Sequence, residues 1–225
     1  MTGATTGTAA DVASAPAVTL DCFGTLVTAE RPDAPWDAVA TELRARDVPV
    51  PADWEAAYRT GHVDCGRMEE LALSRHVVAA LDACGVECDP ATARDAVFAA
   101  FDRPVDTRPG ASTVLARLDA ADVPVGVVSN CSVHGLVASA LDRAGLDRHL
   151  DAVVTSVDCG WRKPHPHPFE TAANRLGLAL EDLVHVGDDA AADGGAERAG
   201  GTTVLVDEAP LSEIATILAG GGPCR

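Results

Sequence analysis

Four short stretches carry residue types that chemistry needs, and three of them close an apolar run. Asp21 ends Val18-Thr19-Leu20 and is followed by Cys22-Phe23-Gly24-Thr25. Ser129-Asn130 ends Val125-Gly126-Val127-Val128, and Gly187-Asp188-Asp189 ends Leu183-Val184-His185-Val186, with Asp193 close behind. The fourth stretch, Gly160-Trp161-Arg162-Lys163-Pro164, holds the only lysine of the chain. An apolar run that stops at a polar residue reads as a buried strand emerging at its carboxyl end. In open α/β sheets ligands sit beyond those ends, so a parallel sheet would bring all four stretches to one edge. Asp21 alone reads equally well as a turn cap; the ordered set decides against that.

Carboxylates gathered at one edge repel one another unless a hard cation neutralises them, and Mg²⁺ is the natural oxygen-liganded choice. Asp188, with Asp189 or Asp193, would hold that ion beside Asp21. A phosphate screened by the ion would then be open to attack by the Asp21 carboxylate. Ser129 and backbone N–H groups at a helix start would hold phosphoryl oxygens, and Lys163 would offset charge on nucleophile and phosphate.

The elements that position these residues follow from hydrophobic spacing. Residues 32–101 read as helical throughout, in four pieces marked by Trp36 to Leu43, Trp54 to Tyr58, Met68 to Leu81 and Val97 to Phe101. Asp89-Pro90 opens the last of them. A turn cluster at 106–110 returns the chain to the sheet. Helices are then expected at 111–120, 133–144, 168–176, 190–199 and 211–218, alternating with strands at 123–128, 152–155, 183–186 and 203–206. The fold class is therefore α/β, a doubly wound parallel sheet with an inserted helical subdomain. Its core would be 16–31 and 104–219, its helical cap 32–103, with a disordered tail at 1–15 and a flexible one at 220–225.

Composition narrows the partners. The net charge is −17, from 34 acidic against 17 basic residues, which repels nucleic acid and anionic membranes. No apolar stretch approaches the ~20 residues of a membrane helix, and the N-terminus lacks a signal-peptide pattern, so a cytoplasmic protein is expected. Seven scattered cysteines without a CxxC pair point to reduced, mostly buried thiols. Cys65, Cys84 and Cys88 with His62 or His76 match no zinc spacing. Acid excess with almost no lysine suggests a halophilic protein. Its unfolding midpoint in a thermal melt should climb between low and molar KCl as screening removes self-repulsion; a flat midpoint contradicts this.

Asp21-Cys22-Phe23-Gly24-Thr25, Ser129-Asn130, Arg162-Lys163-Pro164 and Gly187-Asp188-Asp189 with Asp193 resemble, in order, the four motifs of the haloacid dehalogenase-like hydrolase superfamily. The helical insertion after the first motif is similar to that family's cap. The resemblance implies a phosphohydrolase acting on a small phosphorylated metabolite, with Asp21 as the nucleophile of an aspartyl-phosphate intermediate. Lys163 would assist, with Ser129, Asn130, Thr25 and Gly24 on the substrate. Mg²⁺ would be held by Asp21, the Phe23 backbone carbonyl and Asp188, with Asp189 or Asp193 as ligand or support.

One residue departs from the pattern. Phosphatases of the family carry a second aspartate two residues after the nucleophile as general acid and base, and Phe23 stands there. Such help is worth ~10²–10⁴-fold in rate. Three readings follow: a phosphohydrolase restricted to good leaving groups, a 2-haloacid dehalogenase, or a non-catalytic phosphate-binding module. Halide departs without a proton, and the dehalogenase branch carries an aromatic residue at this position. That branch works without metal, so the aspartate cluster favours phosphate and Mg²⁺. The phosphonatase branch needs a cap lysine that this chain lacks, and the phosphomutase branch depends on the missing acid. His165 and His167 read as loop residues stiffened by proline, His185 as a packed core residue, Trp36, Trp54 and Tyr58 as packing, and Cys22 and Cys131 as buried fillers. Arg44, Arg46 and Arg59 are candidates to reach over the pocket.

Overall fold

The computed structural model describes residues 17–207 and 210–218. The expected tails at 1–15 and 220–225 lie outside them. Five parallel strands form the central sheet in the order β5-β4-β1-β6-β7. These are β1 (Ala17–Leu20), β4 (Val125–Ser129), β5 (Ala152–Thr155), β6 (Leu183–Gly187) and β7 (Thr202–Leu205). β1 is in the middle and is buried along its whole length, as an apolar run covered on both faces requires. Its register sets Thr19 beside both Gly126 and His185.

Helices cover both faces of the sheet. A large apolar cluster joins Val18 and Leu20 of β1 and Leu115, Leu118 and Leu141 of the flanking helices to Val39, Leu43, Val77, Leu81 and Val97 of the insertion. A smaller cluster on the opposite face packs Val128, Val154 and Leu183 under Phe169, Ala172 and Ala196. The flanking helices are α5 (Ala111–Ala120), α6 (Leu136–Arg143), α8 (Pro166–Leu176), α10 (Gly195–Ala199) and α11 (Leu211–Leu218). Short helices α7 (Ser156–Cys159) and α9 (Ala190–Asp193) follow β5 and β6 directly.

The insertion consists of α1 (Pro35–Arg44), α2 (Trp54–Arg59), α3 (Leu73–Ala83) and α4 (Pro90–Phe101). Asp89 caps α4 through a bond from the Thr92 N–H, and Pro90 occupies its first turn. Trp54 is buried, and its indole N–H donates to the Trp36 carbonyl at 2.7 Å. Tyr58 meets Trp54 edge to face, so these aromatics pack as expected.

Several expectations need correction. The stretch 32–101 is not helical throughout: α3 begins at Leu73, and residue Glu69 instead forms an isolated bridge with Trp161. The insertion is also entered and left through strands the sequence did not suggest, β2 (Val27–Ala29) and β3 (Val105–Thr107), which pair antiparallel. Three residues each carry too little alternation to be read. The helix expected at 190–199 is two helices meeting at Gly194. Pro166 and Pro168 do not stiffen an extended loop but fall in the first turn of α8, which therefore starts earlier than 168.

Candidate active site

Asp21 leaves the end of β1 with its backbone N–H donating to the Val186 carbonyl at 2.8 Å, which fixes it between β4 and β6. The loop beyond it turns through Gly24 at φ +97. A Cβ there would stand 2.2 Å from Oδ2 of Asp188, so only glycine lets that carboxylate approach. A Cβ on Gly187 would likewise stand 2.1 Å from Cγ of Asp193.

Lys163 is buried at the centre. Its Nζ donates to Asp193 Oδ1 at 2.6 Å and to the Val128 carbonyl at 2.7 Å, and stands 3.0 Å from Asp21 Oδ1. Its backbone is clamped by Asn130, whose Nδ2 donates to the Lys163 carbonyl at 3.0 Å while Oδ1 accepts its N–H at 2.7 Å. Asp193 also accepts from His185 Nε2 at 2.9 Å on Oδ1 and from the Asp189 N–H at 2.9 Å on Oδ2. His185 Nδ1 lies 3.0 Å from Thr19 Oγ1. With Nε2–H pointing to a carboxylate, Nδ1 is the acceptor for the threonine hydroxyl.

The electrostatics follow from these contacts. Burial alone would raise Asp193, but the His185 hydrogen bond and the Lys163 charge outweigh it and hold the carboxyl well below its usual range. Burial lowers His185, keeping it neutral. Asp188 is raised, first by burial and then by the charges of Asp21 and Asp193, against the hydrogen bond it accepts from Thr25 Oγ1 at 3.0 Å. Burial raises the thiols of Cys22 and Cys131, which makes them poor nucleophiles and leaves them as fillers.

The donor set fits a hard divalent cation. Among the described residues, Asp21, Asp188 and Asp193 each offer an oxygen, all within 4.8 Å of one another. Asp21 Oδ1 is buried with no hydrogen bond; its contact with Lys163 is an ionic one outside hydrogen-bonding geometry. Excess negative charge at Asp188 and an orphaned oxygen at Asp21 are both relieved by a cation.

Other expected residues are placed differently from the sequence reading. Asp189 turns Oδ1 back to cap α9, accepting the Ala191 N–H at 2.8 Å. Thr25 is fully buried and holds Asp188, and Gly24 gives its carbonyl to Arg108, so both shape the acidic pocket where contact with substrate was expected. Asn130 is committed to the Lys163 backbone in the same way. Ser129 ends β4, buried, beside the strand of Asp21. Phe23 is half-buried against the apolar cluster. Arg59 lies 4.0 Å over the Trp36 ring and Arg46 pairs with Glu42 at 2.6 Å, so both are engaged within the insertion. His165 stacks on Trp161 at 4.0 Å between ring centres and accepts the His167 N–H, a structural role. Thr19 and His185, which no motif marks, extend the network from Asp193 into the sheet. Two polar residues in mid-strand, within otherwise apolar neighbours, were the available signal.

The model of the haloacid dehalogenase-like hydrolase family matches residues 15–201. The chain belongs to that family. Among relatives of this haloacid dehalogenase-like hydrolase is a ribulose-1,5-bisphosphate 5-phosphatase of Halopiger xanaduensis, 32% identical over 120 residues, covering 53% of this chain and 50% of the relative. A phosphoglycolate phosphatase of Xanthomonas campestris is 33% identical over 116 residues, 48% of this chain and 52% of the relative. The chain thus spans about half the length of the curated relatives it matches. A solved dehalogenase with an intermediate complex superposes with a TM-score of 0.55 at 25% identity, covering 92% of this chain and 98% of that one. Within this family the parallel sheet and its inserted helices form a Rossmann-like α/β fold.

Proposed function

We propose that this hydrolase is a Mg²⁺-dependent phosphohydrolase that works through an aspartyl-phosphate on Asp21, acting on a small phosphorylated metabolite. The observation that carries the reading is the buried, orphaned Asp21 oxygen facing Lys163 within a three-aspartate group. The phosphatase relatives support it. Asp21, Asp188 and the Phe23 carbonyl would hold the ion, with Asp193 fixing Lys163 beside it and Asp189 outside the ligand set. The ion, when bound, screens the phosphate from the surrounding carboxylates.

The chain's own residues do the rest. Asp21 forms an oxygen–phosphorus bond as the bond from phosphorus to the leaving oxygen breaks. Lys163, fixed by Asn130, offsets charge on both partners, and Ser129 binds a phosphoryl oxygen. The leaving oxygen departs without a proton, because Phe23 has none to give. Acyl and aryl phosphates, whose leaving groups are stable as anions, are therefore the preferred substrates. Water then attacks the phosphorus of the aspartyl-phosphate and releases phosphate and the Asp21 carboxylate. The inserted helices, 32–103, act as the cap that selects the metabolite. Among the described residues no helix is long and apolar enough to cross a membrane, and a cytoplasmic protein in a high-salt cell fits the acidic composition.

Phe23 and the dehalogenase neighbour favour a second reading, halide displacement from a 2-haloacid. Turnover of p-nitrophenyl phosphate and acetyl phosphate with Mg²⁺, abolished by EDTA, is the expected result. Chloride release from 2-chloropropionate in EDTA would establish the second reading instead. Phosphate binding without either turnover would leave a binding module. Replacing Phe23 by Asp should raise kcat on alkyl phosphates by up to roughly 10²-fold, since they gain both acid and base, and should also raise kcat on acetyl phosphate, where only the base-assisted water attack gains.

A further inference from the structure

The two loops that supply Ser129 and Lys163 meet at one carboxylate of the inserted subdomain, Glu70. Its side chain is only 3% exposed, although it belongs to the segment between α2 and α3. Arg162, next to Lys163, reaches it with Nη1 at 3.2 and 3.1 Å from its two oxygens. Ser156, at the start of α7, donates its hydroxyl to Oε2 and accepts the Cys131 N–H at 2.8 Å. Cys131 directly follows Asn130. The Glu70 carboxylate therefore ties the Ser129 loop to the Lys163 loop through two charge-assisted contacts.

Backbone bonds hold the same point. The Glu70 N–H donates to the Gly160 carbonyl at 2.9 Å, Arg162 N–H to Met68 at 2.9 Å, and Leu73 N–H to Ser132 at 2.9 Å. Residues 68–73 thus cross from the insertion to both loops, and Glu70 is the buried carboxylate at the junction.

We infer that Glu70 is a positioning residue that registers the inserted subdomain against both anion-binding loops, so that the phosphate site is complete only when this latch is made. It touches no substrate; it acts through Arg162, Ser156 and the backbone around them. A buried carboxylate with two specific partners fixes geometry more sharply than apolar contact would, since displacement leaves it unpaired. The inference rests on the phosphate reading of the site.

The test uses the full chain with Glu70→Ala, Glu70→Gln and Arg162→Met. Three quantities are read: kcat and KM on p-nitrophenyl phosphate with Mg²⁺, inhibition by inorganic phosphate, and amide hydrogen exchange at 129–132 and 160–163. Glu70→Ala should weaken phosphate inhibition and lower kcat/KM by roughly 10- to 100-fold, with faster exchange at Cys131 and Arg162. Glu70→Gln keeps an acceptor for Ser156 and should fall between wild type and Ala. If the Ala variant fails to fold, Gln and Arg162→Met carry the test, both expected to shift the same way by less. Unchanged inhibition and unchanged exchange in folded variants overturn the latch. If the wild type neither turns over nor binds phosphate, the phosphate reading fails, while exchange still decides the latch: faster exchange upholds it, unchanged exchange rejects it.

Discussion

Asp21→Asn should reduce turnover of acetyl phosphate by at least about a thousandfold while leaving the fold intact. The amide keeps the size of the carboxylate but is no nucleophile, and the neighbouring Asp188 and Asp193 carboxylates are held by Thr25, Lys163 and His185. Cys22 adjoins Asp21 and Cys131 adjoins Asn130, and burial keeps both thiols protonated. Loss of a covalent nucleophile removes the whole two-step route rather than one contact, which is why the expected effect is so large. Stability should rise slightly or stay level, since Asp21 Oδ1 is buried without a hydrogen bond and crowds Asp188. Steady-state rates with a parallel thermal melt check both halves. Residual activity near wild type would mean that the reacting group lies elsewhere.

Lys163→Met should be the most destabilising single change in the site. The lysine side chain is 2% exposed and faces Asp193, itself 1% exposed, and Asp21. Removing it leaves buried carboxylates uncompensated, a loss of about 3–5 kcal/mol at neutral pH. For a chain of this size that lowers the melting midpoint by roughly 10 °C. The pH dependence has a definite sign. Asp193 is held below its unfolded value in the native protein, so its contribution is fully present above about pH 4 and fades as pH falls further. The gap between variant and wild type should therefore close in acid. His185 is lowered as well, so in the wild type stability should fall as pH drops below about 6.5, where the unfolded histidine takes up a proton and the buried one resists it. Melts across pH for both proteins test this, and a gap that widens in acid would contradict the network described.

The chain's legibility differed by element for physical reasons. β1, β4 and β6 could be read because each is a buried apolar run that stops at a polar residue, and their shared edge followed from the alternation with helices. β2 and β3 could not: they pair Val27 with Thr107 across the whole insertion, and no local pattern encodes such a partner. The stretch before Leu73 reads as helical by apolar spacing, yet it is irregular, with backbone bonds made to Gly160 and Arg162 instead. In the site, Asp21, Ser129, Lys163 and Asp188 were legible from type and order. Residue type did not reveal what each neighbour faces. Asn130, Thr25 and Asp189 bear polar groups that suit a ligand equally well, and the structure commits them to the Lys163 backbone, to Asp188 and to the cap of α9. Glu70 was illegible for the same reason, since it lies far in sequence from Ser156 and Arg162.

Phe23 also leaves the second step without a general base. Without a general base, water attacks the aspartyl-phosphate slowly, while its formation from acetyl phosphate needs no acid. The covalent species should therefore accumulate. Rapid acid quench of the Mg²⁺-loaded enzyme with acetyl phosphate, followed by peptide mass spectrometry, reads it directly. The expected result is a phosphoryl group on the peptide carrying Asp21, formed in a burst and absent from Asp21→Asn. An enzyme that turns over acetyl phosphate with no adduct on Asp21 at any quench time, or with the adduct on another residue, would contradict it.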